Sequence, residues 1–209
     1  SVDCVVFGFD DDKLKVLLIQ QKFPGKKGAE EYLRYALPGD LVFEDESLDT
    51  AAQRVLKELT MLEGIYLRQF MAFGDPARVN GDKDKEWLKI FRTEPDARVI
   101  TIAYFAVVKM EDFIPGAGSF AEKSIWCDIN EVPELAFDHT QIFNTALERL
   151  RQELLDHHVG FELLPEKFTL NQLQTLYEVI LGKTLDKRNF RKSILKMNHI
   201  TSLDEKQKG

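Results

Sequence analysis

Cysteine is scarce in this chain. Only Cys4 and Cys127 occur in 209 residues, far apart and in no metal-ligand spacing. That argues against a disulfide-stapled scaffold and points to a reduced, cytosolic setting. Long apolar runs are missing too. The longest, residues 102–108, includes Tyr104 and falls far short of the roughly 20 residues a membrane span needs. No secretory signal, internal repeat or low-complexity linker is visible. The first residue is Ser1 rather than Met, so a few leading residues are expected to have been trimmed. A hydrophobic content of 44% and a charged content of 30% are those of a soluble globular protein. The length suits one large or two small domains.

The net charge of −7 is unevenly spread. From Gly160 onward nine basic residues face six acidic ones, a surplus of three, which leaves −10 for the rest of the chain. An acidic body with a locally basic end implies a specialised surface at the tail, of the kind that meets nucleic acid.

Residues 2–9 and 14–20 read as strands, with Asp10-Asp11-Asp12 as the turn between them. A short strand is expected at 34–37 and a helix at 48–62, with Ser47 as its N-cap. Residues 66–73 and 99–108 are strand-like, the polar stretch 74–98 between them reads as loop, and 124–128 reads as a further strand. Asp138 and Gln141 have capping-box spacing. The helix they open carries Ile142, Leu147, Leu150 and Leu154 and ends near 157–160, where His157 and His158 read as exposed. Strands flanked by helices make this body α+β. In the tail, Thr169 and Gln172 form a second capping box, and Leu173, Leu176, Tyr177 and Ile180 follow at helical spacing up to a stop at Gly182. Asp186 can cap a helix at 187–197 with Phe190, Ile194 and Met197 on its apolar side. Two helices so close in sequence match a helix-turn-helix, and Ile200 and Leu203 would begin a small strand pair. The expected division is 1–158 and 159–209.

Pro38-Gly39-Asp40-Leu41-Val42-Phe43-Glu44-Asp45-Glu46, followed by Arg54-Val55-Leu56-Lys57-Glu58-Leu59-Thr60-Met61-Leu62, resembles a Nudix box. Glu46, Arg54, Leu56, Glu58 and Leu62 match that pattern; Asp40, Val55, Leu59 and Met61 do not. Val55 and Leu59 stand where the family carries two metal-binding glutamates. Positions 55, 58 and 59 share a helix face, where three carboxylates would hold magnesium. Here Glu58 alone remains, and Val55, Leu59 and Leu62 make an apolar stripe that reads as buried. Glu46 and Arg54 are expected to pair and brace the loop. No metal, cofactor or catalytic residue is therefore assigned.

The tail motifs Leu164-Pro165, Phe168-Thr169-Leu170, Leu173-Gln174, Tyr177-Glu178 and Asp186-Lys187-Arg188-Asn189-Phe190-Arg191, with Phe137-Asp138-His139 in the body, are similar to those of Nudix-related transcriptional regulators. The resemblance covers nearly the whole chain. It implies a Nudix-like mixed sheet between helices, followed by a winged helix-turn-helix. It also implies a homodimer that binds double-stranded operator DNA under control of a small effector, either ADP-ribose-like or a free sugar. The loss of metal positions keeps the free sugar in play.

The candidate recognition helix offers Arg188 and Arg191 for guanine edges, Asn189 for adenine, and Lys187, Lys192 and Lys196 for phosphates. A solvated basic face on a packing helix is the plainer reading of the same charges. Effector contacts are expected from Arg34, Asp75, Arg78, Asn80, Tyr104 and His139, each of which can equally be a salt bridge, turn or core residue. Trp87 covers either a neighbour or a partner subunit. Two other functions compete with the regulator. One is a hydrolase of nucleoside diphosphate sugars using Glu44, Glu46 and Glu58. The other is an interaction module whose helix-turn-helix serves dimerisation; it would lack the steep salt dependence of a phosphate contact.

Overall fold

The computed structural model of the chain describes residues 1–10, 12–23, 32–79, 81–157, 163–196 and 200–203, with only the backbone given for Phe23, Lys83, Phe91, Asp156 and His157. Asn80, His158, Met197, the boundary expected at 158/159 and residues 204–209 lie outside it. The elements run β1 (Val2–Phe9), β2 (Leu14–Phe23), β3 (Tyr32–Ala36), β4 (Gly39–Asp40), α1 (Leu48–Thr60), β5 (Arg68–Phe73), α2 (Asp82–Phe91), β6 (Thr101–Lys109), β7 (Lys123–Asp128), α3 (His139–His157), α4 (Leu170–Leu181) and α5 (Lys187–Lys196).

One mixed sheet has the order β3-β2-β1-β6-β5, with β4 on β1 and β7 on β2. Only β1 and β6 run parallel among its strand pairs; the rest are antiparallel. β1 and β2 pair over a short stretch, Phe7 to Phe9 against Val16 to Leu14. On the other side of that stretch they part, β1 pairing with β4 at Val2 and Asp3, and β2 with β3 from Ile19 to Phe23. The chain through Leu37 and Pro38 crosses this fork, and the Cys4 N–H donates to the Pro38 carbonyl at 2.8 Å. Gly39 is required there. A Cβ on it would stand 1.9 Å from the Asp3 Oδ1.

Strand side chains alternate between the two faces. Val2, Cys4 and Val6 pack with Ala51, Ala52, Val55, Leu56 and Leu59 of α1. Val5, Phe7 and Phe9 pack with Leu147, Leu150 and Leu154 of α3, and that same cluster continues into Leu173, Leu176 and Ile180 of α4 and Phe190 and Ile194 of α5. The helix-turn-helix therefore shares a core with the sheet. Arg151 reinforces the junction by donating from Nε to the Ile180 carbonyl at 2.9 Å.

Three expectations change. Residues 74–98 are not all loop, because Asp82–Phe91 is a helix. Its N-cap, Gly81, makes no side-chain cap bond, and its sequence is largely charged. What holds it is tertiary: Leu88 and Trp87 are buried, and Asp84 accepts from Arg34 at 2.6 Å and from the Phe137 N–H at 3.2 Å. Trp87 meets Phe120 and Phe137 edge-on, so it covers neighbours within the chain. Asp138 opens α3 through its carbonyl alone, which accepts from Gln141 and Ile142; its carboxylate is drawn to Arg78. The capping box predicted at Asp138 and Gln141 gives way to that stronger charged partner. Residues 200–203 are irregular, not strand.

α1 stops at Thr60, two residues short of the predicted end, because Met61 takes a left-handed conformation at φ 59°. Glycine is the usual residue at such a helix end, and a side chain costs about 1 kcal/mol there. Met61 is 66% exposed, so little packing offsets that cost. Met61→Gly is expected to raise stability by about 0.5–1 kcal/mol in urea unfolding, with an unchanged slope.

Candidate effector cavity and nucleic-acid interface

The box loop is braced as its residue types require. Arg54 donates from Nε to Glu46 Oε2 at 2.9 Å, from Nη2 to Glu46 Oε1 at 2.6 Å and to the Leu41 carbonyl at 2.8 Å, and from Nη1 to Glu58 Oε2 at 3.0 Å. Its guanidinium also lies 3.8 Å from the centroid of the Phe43 ring. Hydrogen bonds from Arg54 hold the Glu46 carboxyl down to about 2. Val55 and Leu59 are buried in the α1 core. A cation thus already occupies the space between the two carboxylates, and aliphatic side chains fill the positions where the family has ligands. Magnesium does not fit this donor set. Among the described residues no three His, Cys, Asp or Glu side chains stand together as a metal site, so Glu44, Glu46 and Glu58 form no alternative one.

A different polar cluster lies at the fork between β1 and β2. Arg78 is buried and donates from Nε and Nη2 to the two Asp138 oxygens, both at 2.8 Å, and reaches Asp3 Oδ2 at 3.5 Å. His139 accepts from the Leu37 N–H at Nδ1, 2.9 Å away, which leaves Nε2 to face Asp3 Oδ1 at 3.3 Å. Burial works against ionisation of Asp3, but His139 and Arg78 more than offset it and hold its carboxyl down to about 2. Above this cluster is a cavity of about 30 Å³, lined in part by Gln21, Asp40, Trp87, Arg92, Phe137 and His139. Burial lowers the pKa of Arg92, and Asp40 and Asp3 only partly counter it. A second cavity of about 330 Å³ shares Arg78 and Val79 with the first and adds Asp75, Lys85 and Arg98.

The five effector candidates within the described residues separate accordingly. Arg78 and His139 line the first cavity, and Asp75 and Arg78 the second. Asp75 also accepts from the Ala77 N–H at 2.7 Å. Arg34 lines neither; it holds Asp84 and the Leu135 carbonyl. Tyr104 is buried under α1 and donates to Asp49 at 2.7 Å. Asp3, Gln21, Asp84, Arg92 and Asp138 escaped sequence reasoning. The one legible signal was Gln21, a polar residue that follows the apolar Leu17 and Ile19 on one face of β2.

In the tail, Thr169 and Gln172 close the capping box as predicted, and Gly182 ends α4 at φ 65°. Gln174 and Glu178 fasten the turn. Gln174 Nε2 donates to Glu178 Oε1 and to the Leu185 carbonyl, each at 2.9 Å, and the Leu185 N–H donates to Glu178 at 2.8 Å. These bonds lower the Glu178 pKa, the Leu185 N–H most. Asp186 caps α5 by accepting from the Asn189 N–H at 2.8 Å. Phe190 and Ile194 face inward, and Phe190 meets Tyr177 edge-on at 5.2 Å. Lys187, Arg188, Asn189, Lys192 and Lys196 are exposed. Arg191 is half-buried and donates to Asn171 at 3.1 Å, which sets it apart from the rest.

A sheet split around a cleft, a braced box with aliphatic residues at its ligand positions and a helix-turn-helix on the same core define a Nudix-type sensor joined to a nucleic-acid-binding module. The chain belongs to the Nudix-related transcriptional regulators: residues 1–146 match the NUDIX domain, and residues 160–209 match the NrtR DNA-binding winged helix domain. The ADPR responsive transcriptional repressor NtrR of Acinetobacter baylyi is 29% identical over 98% of this chain and 75% of its own length. Shewanella oneidensis NrtR complexed with a 27mer DNA has a TM-score of 0.67 at 29% identity, covering 93% of this chain and 81% of that one. The NUDIX domain of that protein complexed with ADP ribose has a TM-score of 0.55 at 28% identity, covering 71% and 86%. An ADP-ribose pyrophosphatase of Methanocaldococcus jannaschii is 30% identical over 66% of this chain and 68% of its own. No helix among the described residues is long and apolar enough to cross a membrane.

Two outcomes are expected. Asp3 is stabilising above its unfolded pKa of about 3.9, and this contribution is lost as pH falls toward its folded value of about 2. Between about pH 4 and pH 2 the protein should therefore lose on the order of 2 kcal/mol more than an Asp3→Asn variant in denaturant titrations. Glu178→Ala should leave the circular dichroism spectrum unchanged and weaken operator binding about tenfold, the worth of one charge-assisted hydrogen bond.

Proposed function

We propose that this chain is a cytoplasmic, homodimeric, ADP-ribose-responsive repressor, in which residues 1–158 sense the effector and residues 159–209 bind operator DNA. The carrying observation is the box. Val55 and Leu59 are core residues of α1, so the domain keeps a nucleotide-binding frame without the carboxylates for metal-assisted hydrolysis. The sensor is accordingly proposed to bind its ligand and not to hydrolyse it. ADP-ribose is favoured over a free sugar because similar proteins are described as responding to it or binding it. The cavities also present cationic side chains to a diphosphate, Arg92 in the first and Lys85 and Arg98 in the second.

Arg78 is the proposed link to DNA binding. It joins the cavity to Asp138, which opens α3, and the far half of α3 carries α4. An anionic ligand that engages Arg78 competes with Asp138 and favours a different setting of α3. A ligand shifts such an equilibrium only through its differential affinity for the two settings. In a dimer, the spacing of the two α5 helices and the fit to both half-sites would change with it.

On α5, Arg188 and Asn189 are the proposed base readers and Lys187, Lys192 and Lys196 the phosphate contacts. Arg191, held by Asn171, is a positioning residue that reaches the duplex only if that bond opens. Fluorescence anisotropy with upstream DNA tests the reading. Arg188→Ala should cost about 1–3 kcal/mol of specific binding, Lys192→Ala should lower the salt slope by about 1, and ADP-ribose should release the wild-type complex. Release of AMP from ADP-ribose under magnesium or manganese would instead support the hydrolase reading.

A further inference from the structure

We infer that Gln21 is a specificity-determining residue of the effector site, its side-chain oxygen accepting a hydrogen bond from a hydroxyl or exocyclic amine of the bound nucleotide. The inference rests on the effector reading above and names a contact within it.

Gln21 extends a row on β2. Leu17 and Ile19, four and two residues earlier on the same face, are fully buried in the α1 core. Gln21 is 3% exposed, and yet it is polar. Its Oε1 is buried and has no hydrogen-bond partner among the described residues. An unpaired buried acceptor is costly, about 1–3 kcal/mol, where an apolar side chain of the same shape costs nothing. Such a group is kept where a partner arrives from outside.

The cavity beside Gln21 fits that partner. Carboxylates of Asp3 and Asp40 share its wall, so the lining is rich in acceptors and suits a hydrogen-bond donor. Arg78 is already committed to Asp138 and Asp3. Arg92 supplies positive charge, and Trp87 and Phe137 supply apolar wall. Only about 30 Å³ is free, the room of one small group. A nucleotide therefore enters with a hydroxyl or amine leading.

Gln21→Met keeps the side-chain length and removes the acceptor. In calorimetric titration it should weaken ADP-ribose about tenfold or more. The melting temperature of the unliganded protein should rise by about 2–4 °C, because the unpaired group is gone. A residue with a purely structural role would lower that temperature. Repeating the titration with ADP and with ribose 5-phosphate shows which half of the ligand supplies the donor, since only the fragment that carries it should be sensitive to the substitution. Unchanged affinity, a lowered melting temperature or failure of Gln21→Met to fold would each overturn the inference, placing Gln21 instead on an internal water or a structural contact. If the wild-type protein does not bind ADP-ribose, the effector reading itself falls and the inference falls with it.

Discussion

Arg78 is a buried guanidinium, and the fold around the fork is arranged to satisfy it. Leaving such a charge unpaired in a protein interior costs several kcal/mol. Asp138 supplies both oxygens and Asp3 a third contact. Asp3 in turn faces His139, whose other nitrogen accepts from the Leu37 backbone. One cation thus ties β1, the crossing chain at Leu37 and the start of α3 to the loop before α2. Gly39 lacks a side chain because the Asp3 carboxylate fills that space. Removing Asp138 would leave Arg78 with only the 3.5 Å contact to Asp3.

The two ends of the molecule are joined through packing. α3 starts at that charged cluster and ends against α4, and its apolar stripe belongs to the same core as Val5, Phe7 and Phe9 of the sheet. A rigid helix with a polar anchor at one end and an apolar contact at the other can transmit a small displacement as a change of angle. The box helix has the opposite role. Its aliphatic face is buried and its outer face is locked by Arg54 between Glu46 and Glu58, so it serves as scaffold. Val55 and Leu59 stand where the family pattern has carboxylates and contribute core instead.

Short-range chemistry was legible in the residues. The Ser47 cap of α1, the Thr169/Gln172 capping box, the Gly182 stop and the Asp186 cap all rest on contacts within a few positions, and each is found where the pattern placed it. The burial of Val55 and Leu59 followed from helical spacing, and the Glu46–Arg54 brace from the resemblance to a Nudix box. α2 was missed because only Trp87 and Leu88 mark it as buried, and its anchor Asp84 depends on Arg34 fifty residues earlier. Asp138 was misread as a side-chain cap for the same reason: its partner, Arg78, lies sixty residues away.

The sequence by itself determined the two-part plan, the loss of the metal positions and the exposed basic face of the last helix. Each is set by local periodicity, a helix cap or the identity of single residues. Tertiary structure alone decided the site. It took Arg34 and Tyr104 out of the cavities by giving them partners in Asp84 and Asp49, brought Arg78 and His139 together around Asp3, and left Gln21 with an unpaired oxygen beside a cavity. A charged side chain goes to whichever opposite charge the fold brings within reach, and that distance is a property of the sheet's fork, which no stretch of neighbouring residues encodes.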